Sequence, residues 1–452
     1  MIRSFLVSII LAVLALAVLI LVHELGHFLA AKACGVHVER FSIGFGKALL
    51  SKKIGETEYC ISLIPLGGYV KLHRMIKEEE PDLEDPDSVD MYARKESAAF
   101  YNKPYYKKMV IILAGVFFNM VFAVILMSTI FMSGYKSSSP VVGSVDAEGP
   151  AMVAGFMPGD KVVSVMGMPV RSWEEFYIEL SRKATSAKVV VARDGREVTL
   201  DFPIEKMEYT NLFGEPEEGV NLGMSVRFLP IIGDVSPGYP AALAGIKAGD
   251  TIVSIDGNAV SQWADIPKYI AGHVDETPIN LEIERKGAQM SFDIVPQKSP
   301  SGSNIIGIMA LAGDITIKEN PAKALAMGFK RTAESTYVIY KSIWMLVSGK
   351  VSKDNLGGPI LIMQEASKSA KDGLERYLAF TAIISVNLAI LNLLPVPILD
   401  GGHAVVYTYE RLRRKPISMT VRENSQKIGF ALLSLLMIFA FYNDIVRFIK
   451  SL

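Results

Sequence analysis

The sequence is poor in the features that mark secreted scaffolds and nucleic-acid binders. It holds only two cysteines, Cys34 and Cys60, too few for a disulfide framework and without metal-site spacing. Both read as ordinary thiols. Excess charge is also lacking: 47 Lys and Arg face 47 Asp and Glu, so the formal net charge is zero. That balance excludes a global basic field for nucleic acid and an acidic tail protein. Charged residues are only 21 % of the 452, against 50 % apolar, an imbalance that a soluble multidomain chain does not show.

Long apolar runs are what the sequence does have. Phe5 to Val22 is interrupted only by Ser8, enough for a transmembrane helix. The run is too long for a cleaved signal peptide and no small-residue cleavage site follows it. The first span is therefore expected within residues 1–34, and others within 107–134, 376–402 and 426–448. Ala322 to Val347 carries Lys330, Arg331, Glu334 and Lys341, and is expected to lie as an amphipathic helix on the outer membrane surface. Basic residues crowd Lys32 to Lys53, Lys95 to Lys108 and Arg411 to Lys415, which the positive-inside rule assigns to the cytoplasm. Both termini and the block from Lys136 to about Asp372 then fall on the opposite side. The acidic stretch Glu78 to Asp90 reads as a solvated cytoplasmic loop.

The block between the second and third spans is duplicated. Pro-Val-Val-Gly at 140–143 returns as Pro-Ile-Ile-Gly at 230–233, an offset of 90. Pro150/Pro240, Gly155/Gly245, Asp160/Asp250, Gly167/Gly257 and Trp173/Trp263 are among the identical pairs. Each copy, at 137–226 and 227–316, reads as one small α/β module with a Gly-Asp turn. The pattern Pro-Ala-x-x-Ala-Gly-x-x-x-Gly-Asp-x-x-x-Ser-x-x-Gly resembles a PDZ domain in both copies. That resemblance implies capture of peptide C-termini by β-augmentation, with Leu222-Gly223-Met224 and Ile306-Gly307-Ile308 as carboxylate nests. A sorting role without peptide binding is the alternative.

Chemistry concentrates at the end of the first run. His23-Glu24-Leu25-Gly26-His27 is an H-E-x-x-H pattern: on a helix the two imidazoles share a face and can bind one Zn²⁺, and Glu24 can act as general base. Three ionisable groups at the end of an apolar span are costly and point to function. Ala33 excludes the metzincin continuation. Spacing leaves Glu39, Glu56 and Glu58 open as third ligand, but they lie in the basic segment beyond the span. Asp400 is better placed, at the end of the third span in Asn392-Leu-Leu-Pro-Val-Pro-Ile-Leu-Asp400-Gly-Gly, where the prolines break the helix.

H-E-x-x-H in a first span with N-x-x-P-x-P-x-L-D-G-G in a late span resembles the site-2 protease family of intramembrane zinc metalloproteases, in its bacterial type with two PDZ modules. The expected fold class is thus a polytopic α-helical membrane protein of four transmembrane helices with a re-entrant β-hairpin and two tandem PDZ-like domains. The resemblance implies zinc on His23, His27 and Asp400, water activation by Glu24, and cleavage of single-span substrates after another protease has trimmed them. Anti-sigma factors and remnant signal peptides are the implied substrates, and the bacterial inner membrane the location, with PDZ modules and termini periplasmic. Cys60 to Leu72 reads as a β-hairpin turning at Pro65 to Gly68. Either it packs on the helices in the cytoplasm or, as the family implies, it dips into the bilayer and Gly67 and Gly68 help pair an unwound substrate. Asn392 either hydrogen-bonds substrate backbone, the family's implication, or bridges two helices; Asn387 is the weaker candidate for the same role. His37, His73, His273 and His403 have no ligand spacing, His403 being near enough to Asp400 to support it. The competing class is a non-enzymatic membrane receptor or scaffold with a structural zinc, for which no fourth ligand is evident.

Overall fold

The computed structural model describes residues 2–75, 96–211, 213–236, 238–271, 273, 277–299, 302–311, 313–350 and 357–450. The acidic stretch Glu78 to Asp90 lies outside them. The chain divides into two units, Met1–Ser133 with Glu319–Leu452, and Gly134–Lys318.

Helix α1 (Ile2–Ala33) meets neither glycine nor proline through its apolar run, and ends where Gly35 turns left-handed at φ 72°. Two long strands follow, β1 (Val38–Ile54) and β2 (Thr57–Leu72). Their register corrects the hairpin expected at 60–72. Ile43 faces Gly68 on one side and Ile61 on the other, and Ser42 faces both Tyr69 and Cys60. Residues 38–43 therefore sit between the two arms that were expected to pair with each other. Residues 48–54 pair with 57–62, so four segments lie antiparallel in the order 48–54, 57–62, 38–43, 68–72. Alternating apolar residues fit either arrangement, which is why periodicity alone favours the shorter-range hairpin. Helix α2 (Tyr105–Ser133) completes the first half of this unit.

The middle unit opens with β3 (Tyr135–Ser137), which pairs with the last strand of the unit, Ile315–Ile317. Between them the fold repeats. In the first copy β4 (Val142–Val145) leads to α3 (Pro150–Ala154), β5 (Lys161–Val165), β6 (Met168–Pro169), α4 (Trp173–Ser181), β7 (Ser186–Arg193) and β8 (Arg196–Pro203), with sheet order β6-β5-β7-β8. The second copy builds the same four-stranded order from Asn258–Ala259, Thr251–Ile255, Ile279–Arg285 and Ala288–Ile294. Each copy has its own core, around Phe156, Phe176 and Phe202 in the first and Ile252, Ile279 and Leu281 in the second. The repeated Gly-Asp turn is held the same way twice. Arg193 donates to Asp160 at 2.7 and 2.8 Å, and Arg285 donates twice to Asp250 at 2.7 Å. Each arginine also donates to the carbonyl of the glycine ending the short helix, Gly155 or Gly245.

Back in the first unit, a helix spans Pro321–Val347, where an amphipathic helix on the membrane surface was expected. Its buried residues Ala324, Gly328 and Thr332 are four apart, and a Cβ on Gly328 would lie 2.2 Å from Ser128 Oγ and 3.0 Å from the Val124 carbonyl oxygen. A small-residue face thus lets this helix back onto α2. Next come helices at Pro359–Asp372, Leu374–Leu393, Asp400–Arg413 and Met419–Lys450. Asp444 in the last of these accepts hydrogen bonds from the backbone N–H groups of Gly358, Ile360 and Leu361, capping the Pro359–Asp372 helix. Among the described residues four helical stretches are long and apolar enough to cross a membrane: Val13–Ala33, Tyr105–Ser133, Leu374–Leu393 and Met419–Arg447.

Candidate metal centre

His23 and His27 lie one turn apart on α1, and their Nε2 atoms stand 3.2 Å from each other. Asp400 arrives from a different element. Its Oδ2 lies 3.2 Å from His23 Nε2 and 3.4 Å from His27 Nε2. The local sequence explains how the chain delivers it. Pro395 and Pro397 stop the Leu374–Leu393 helix, the backbone at Ile398 is forced to φ 105°, and a new helix starts at Asp400. Gly401 and Gly402 then pack onto the freed carbonyls: a Cβ would fall 2.1 Å from the Leu393 oxygen at the first and 2.2 Å from the Val396 oxygen at the second. Only glycine allows so tight a return.

The far side of the donor set is closed by α2, which motif reading passed over. The Ile111 carbonyl accepts from His27 Nδ1 at 2.8 Å. One turn on, a Cβ on Gly115 would sit 2.4 Å from His27 Nε2 and 2.8 Å from His23 Nε2. A further turn on, buried Asn119 places its side-chain amide 3.4 Å from His23 Nδ1. A backbone carbonyl and an absent side chain leave no mark in a sequence read for titratable residues.

These residues fit a zinc ion. With Nδ1 of His27 donating to a carbonyl, its Nε2 offers a lone pair, and the buried Asp400 Oδ2 has no hydrogen-bond partner. Two imidazole nitrogens and one carboxylate oxygen converging this closely repel one another unless a cation lies among them. Among the described residues these three are the whole donor group, so a fourth position stays open as a hydrolytic zinc site requires.

Glu24 is close enough to His23, His27 and Asp400 to interact electrostatically with each, and it makes no hydrogen bond or ion pair. Its Cγ packs against Gly68, where an added Cβ would be 3.0 Å away. Asn392 reaches the same place, with Nδ2 3.3 Å from His23 Nε2. Asn387 is five residues earlier, about 140° around the helix from Asn392, and no hydrogen bond joins it to the donors. Gly67 faces the Phe45 ring. The other acids weighed as ligands are engaged elsewhere: Glu39 with His73 and Lys71, Glu56 with His37, and Glu58 with Arg40. Of the remaining histidines, His403 feels the charge of Asp400 but forms no hydrogen bond through its ring, and His273 pairs with Thr277.

The model of the family described as Peptidase family M50 matches residues 11–436. This chain belongs to peptidase family M50. Curated relatives agree over nearly their full length. A protein of Neisseria meningitidis named as a zinc metalloprotease is 34 % identical over 456 residues, covering 96 % of this chain and 98 % of that one. The regulator of sigma-E protease RseP of Escherichia coli is 34 % identical over 451 residues, covering 96 % and 97 %. Among solved structures, the PDZ domain of an SdrC-like protein of Listeria monocytogenes is 24 % identical with a TM-score of 0.17, covering 19 % of this chain and 90 % of that one. The M50 chain is thus a zinc metalloprotease, and an intramembrane one of the kind used in regulated proteolysis. The receptor or scaffold reading falls away with it.

Proposed function

We propose that this M50 peptidase hydrolyses peptide bonds of single-span proteins of the bacterial inner membrane after another protease has trimmed them, with His23, His27 and Asp400 as its zinc ligands. The observation that carries the reading is the convergence of these three donors, from two apolar helical regions far apart in sequence, beside an unpaired Glu24. When bound, zinc supplies Lewis-acid polarisation of the scissile carbonyl and makes water a competent nucleophile at neutral pH. Glu24 takes the proton from the attacking water and returns it to the leaving amine. The Asn392 amide, pointing N–H at the donor set, is placed to hold a substrate carbonyl.

Segment 68–72 pairs on one side only, with 38–43. Its other edge has no strand partner among the described residues, and Gly68 lies against Glu24. A transmembrane helix hides its carbonyls in internal hydrogen bonds, and an edge strand beside the base offers replacements. This supports a re-entrant sheet as the place where substrate unwinds. Two tandem PDZ modules, with the termini and modules periplasmic, would receive trimmed ends. Anti-sigma factors are a substrate class in keeping with the E. coli relative's name, and remnant signal peptides are the second class proposed.

Glu24→Gln tests the assignment of the base. In detergent with a single-span substrate, it is expected to keep one zinc per chain and to lose about 10²–10⁴-fold in cleavage rate. Cleavage at the wild-type rate would refute it. Asp400→Ala is expected to lose zinc, and retention of zinc with activity would send the search back to Glu39, Glu56 and Glu58.

A further inference from the structure

Both imidazoles of the metal centre are gripped from behind by one helix. Ile111, Gly115 and Asn119 are spaced four apart on α2 and form a single stripe facing His27 and His23, themselves four apart on α1. The stripe has a division of labour. Ile111 lends its carbonyl to His27, Gly115 makes room for both rings, and Asn119 contributes the stripe's only polar side chain.

Asn119 is fully buried, at 0 % exposure, and its Oδ1 has no hydrogen-bond partner. An unsatisfied amide oxygen inside an apolar helix bundle is costly unless it is used. Its neighbour explains the use. A histidine that offers Nε2 to a metal carries its proton on Nδ1, so the group facing Nδ1 must accept. In the structure the Asn119 Nδ2 faces His23 Nδ1 at 3.4 Å. A half-turn of the amide exchanges nitrogen for oxygen at that spot, and Nδ1–H then donates to Oδ1.

We infer that Asn119 is a positioning residue of the metal centre, accepting the His23 Nδ1 proton through Oδ1 and so holding His23 in the tautomer and orientation that bind zinc. Asn119 does for His23 what the Ile111 carbonyl does for His27. The backbone of Asn119 is anchored independently, its carbonyl accepting from Ser385 Oγ at 2.8 Å, so exchanging the side chain leaves that contact to the Leu374–Leu393 helix in place. The inference rests on His23 being a zinc ligand.

The test uses the full chain in detergent and reads zinc affinity by competition with a chromophoric chelator, together with the visible absorption of the Co²⁺-loaded protein. Asn119→Leu keeps the branched shape but cannot accept, and is expected to weaken zinc binding about 10–100-fold and to alter the Co²⁺ bands. Asn119→Asp accepts but cannot donate, and is expected to restore most of the affinity. A folded leucine variant with wild-type zinc affinity and Co²⁺ spectrum would overturn the inference, as would an aspartate variant no better than leucine. Should the leucine variant fail to fold, Asn119→Ala decides by the same readings. His23→Ala separates the two levels: if it keeps wild-type zinc affinity, the ligand assignment itself fails, whereas an indifferent Asn119 beside a zinc-dependent His23 removes only the positioning role.

Discussion

Asp250 has a side chain only 1 % exposed, and what keeps it charged is a guanidinium of matching shape. Burial pushes its carboxyl up, but hydrogen bonds from Arg285 and from the Lys247 backbone N–H outweigh that and hold it below the usual carboxylate range. Because its pKa is lower folded than unfolded, the pair stabilises the second module fully above the unfolded carboxyl value of about 4 and loses that contribution as pH falls through the lower folded value. Hydrogen-exchange protection of the middle unit in the full chain, corrected for the intrinsic rate at each pH, is therefore expected to be flat from neutral pH down to about pH 4 and to fall in the second module below it. Asp250→Asn is expected to exchange faster at neutral pH and to show less acid dependence; an identical profile would contradict the pairing. The aspartate was legible in the repeat, since Asp160 and Asp250 keep the offset of 90. Its partner was not, because Arg193 and Arg285 are 92 apart and fall out of an ungapped comparison. The same holds at the metal centre: His23, Glu24, His27 and Asp400 announce themselves by chemistry and spacing, whereas Ile111 acts through a carbonyl that every residue has.

At the scale of elements, the apolar runs foretold where helices would lie but not what they would lean on. The small face of Ala324, Gly328 and Thr332 is inconspicuous beside the charges of the same helix, so composition favours a membrane surface over a flank of α2. The sheet shows the same limit, since period-two alternation tells faces apart but not neighbours. The cap on the Pro359–Asp372 helix is a third case, as its acceptor comes from 83 to 86 residues away. Asp444→Ala removes the acceptor for three N–H groups and is expected to cost about 1–3 kcal/mol, with Asp444→Asn intermediate because one oxygen remains. Thermal unfolding in detergent and protease nicking near residue 358 measure it; unchanged values for the alanine variant would show that water serves those groups equally well.

For the molecule as a whole, the basic clusters at the span ends lead us to propose an orientation with PDZ modules and termini outside the cytoplasm. Cys34 and Cys60 are both buried, so an introduced thiol can be read against a quiet background. A cysteine replacing exposed Ala184 is expected to react with an impermeant maleimide in cells whose outer membrane has been opened, and one replacing exposed Lys415 only after the inner membrane is also breached. The reverse pattern would invert the topology.

The way the donors are divided along the chain has one more consequence. Glu24 and the two histidines lie in α1, while Asp400 comes 376 residues after Glu24. At about 5–20 residues per second, that is on the order of 20–75 s of translation. Throughout that interval the growing chain has a base and two imidazoles in the bilayer, but not the carboxylate that completes the trio. With the zinc ligands proposed above, such a protease is thus unarmed in its membrane until Asp400 has been made.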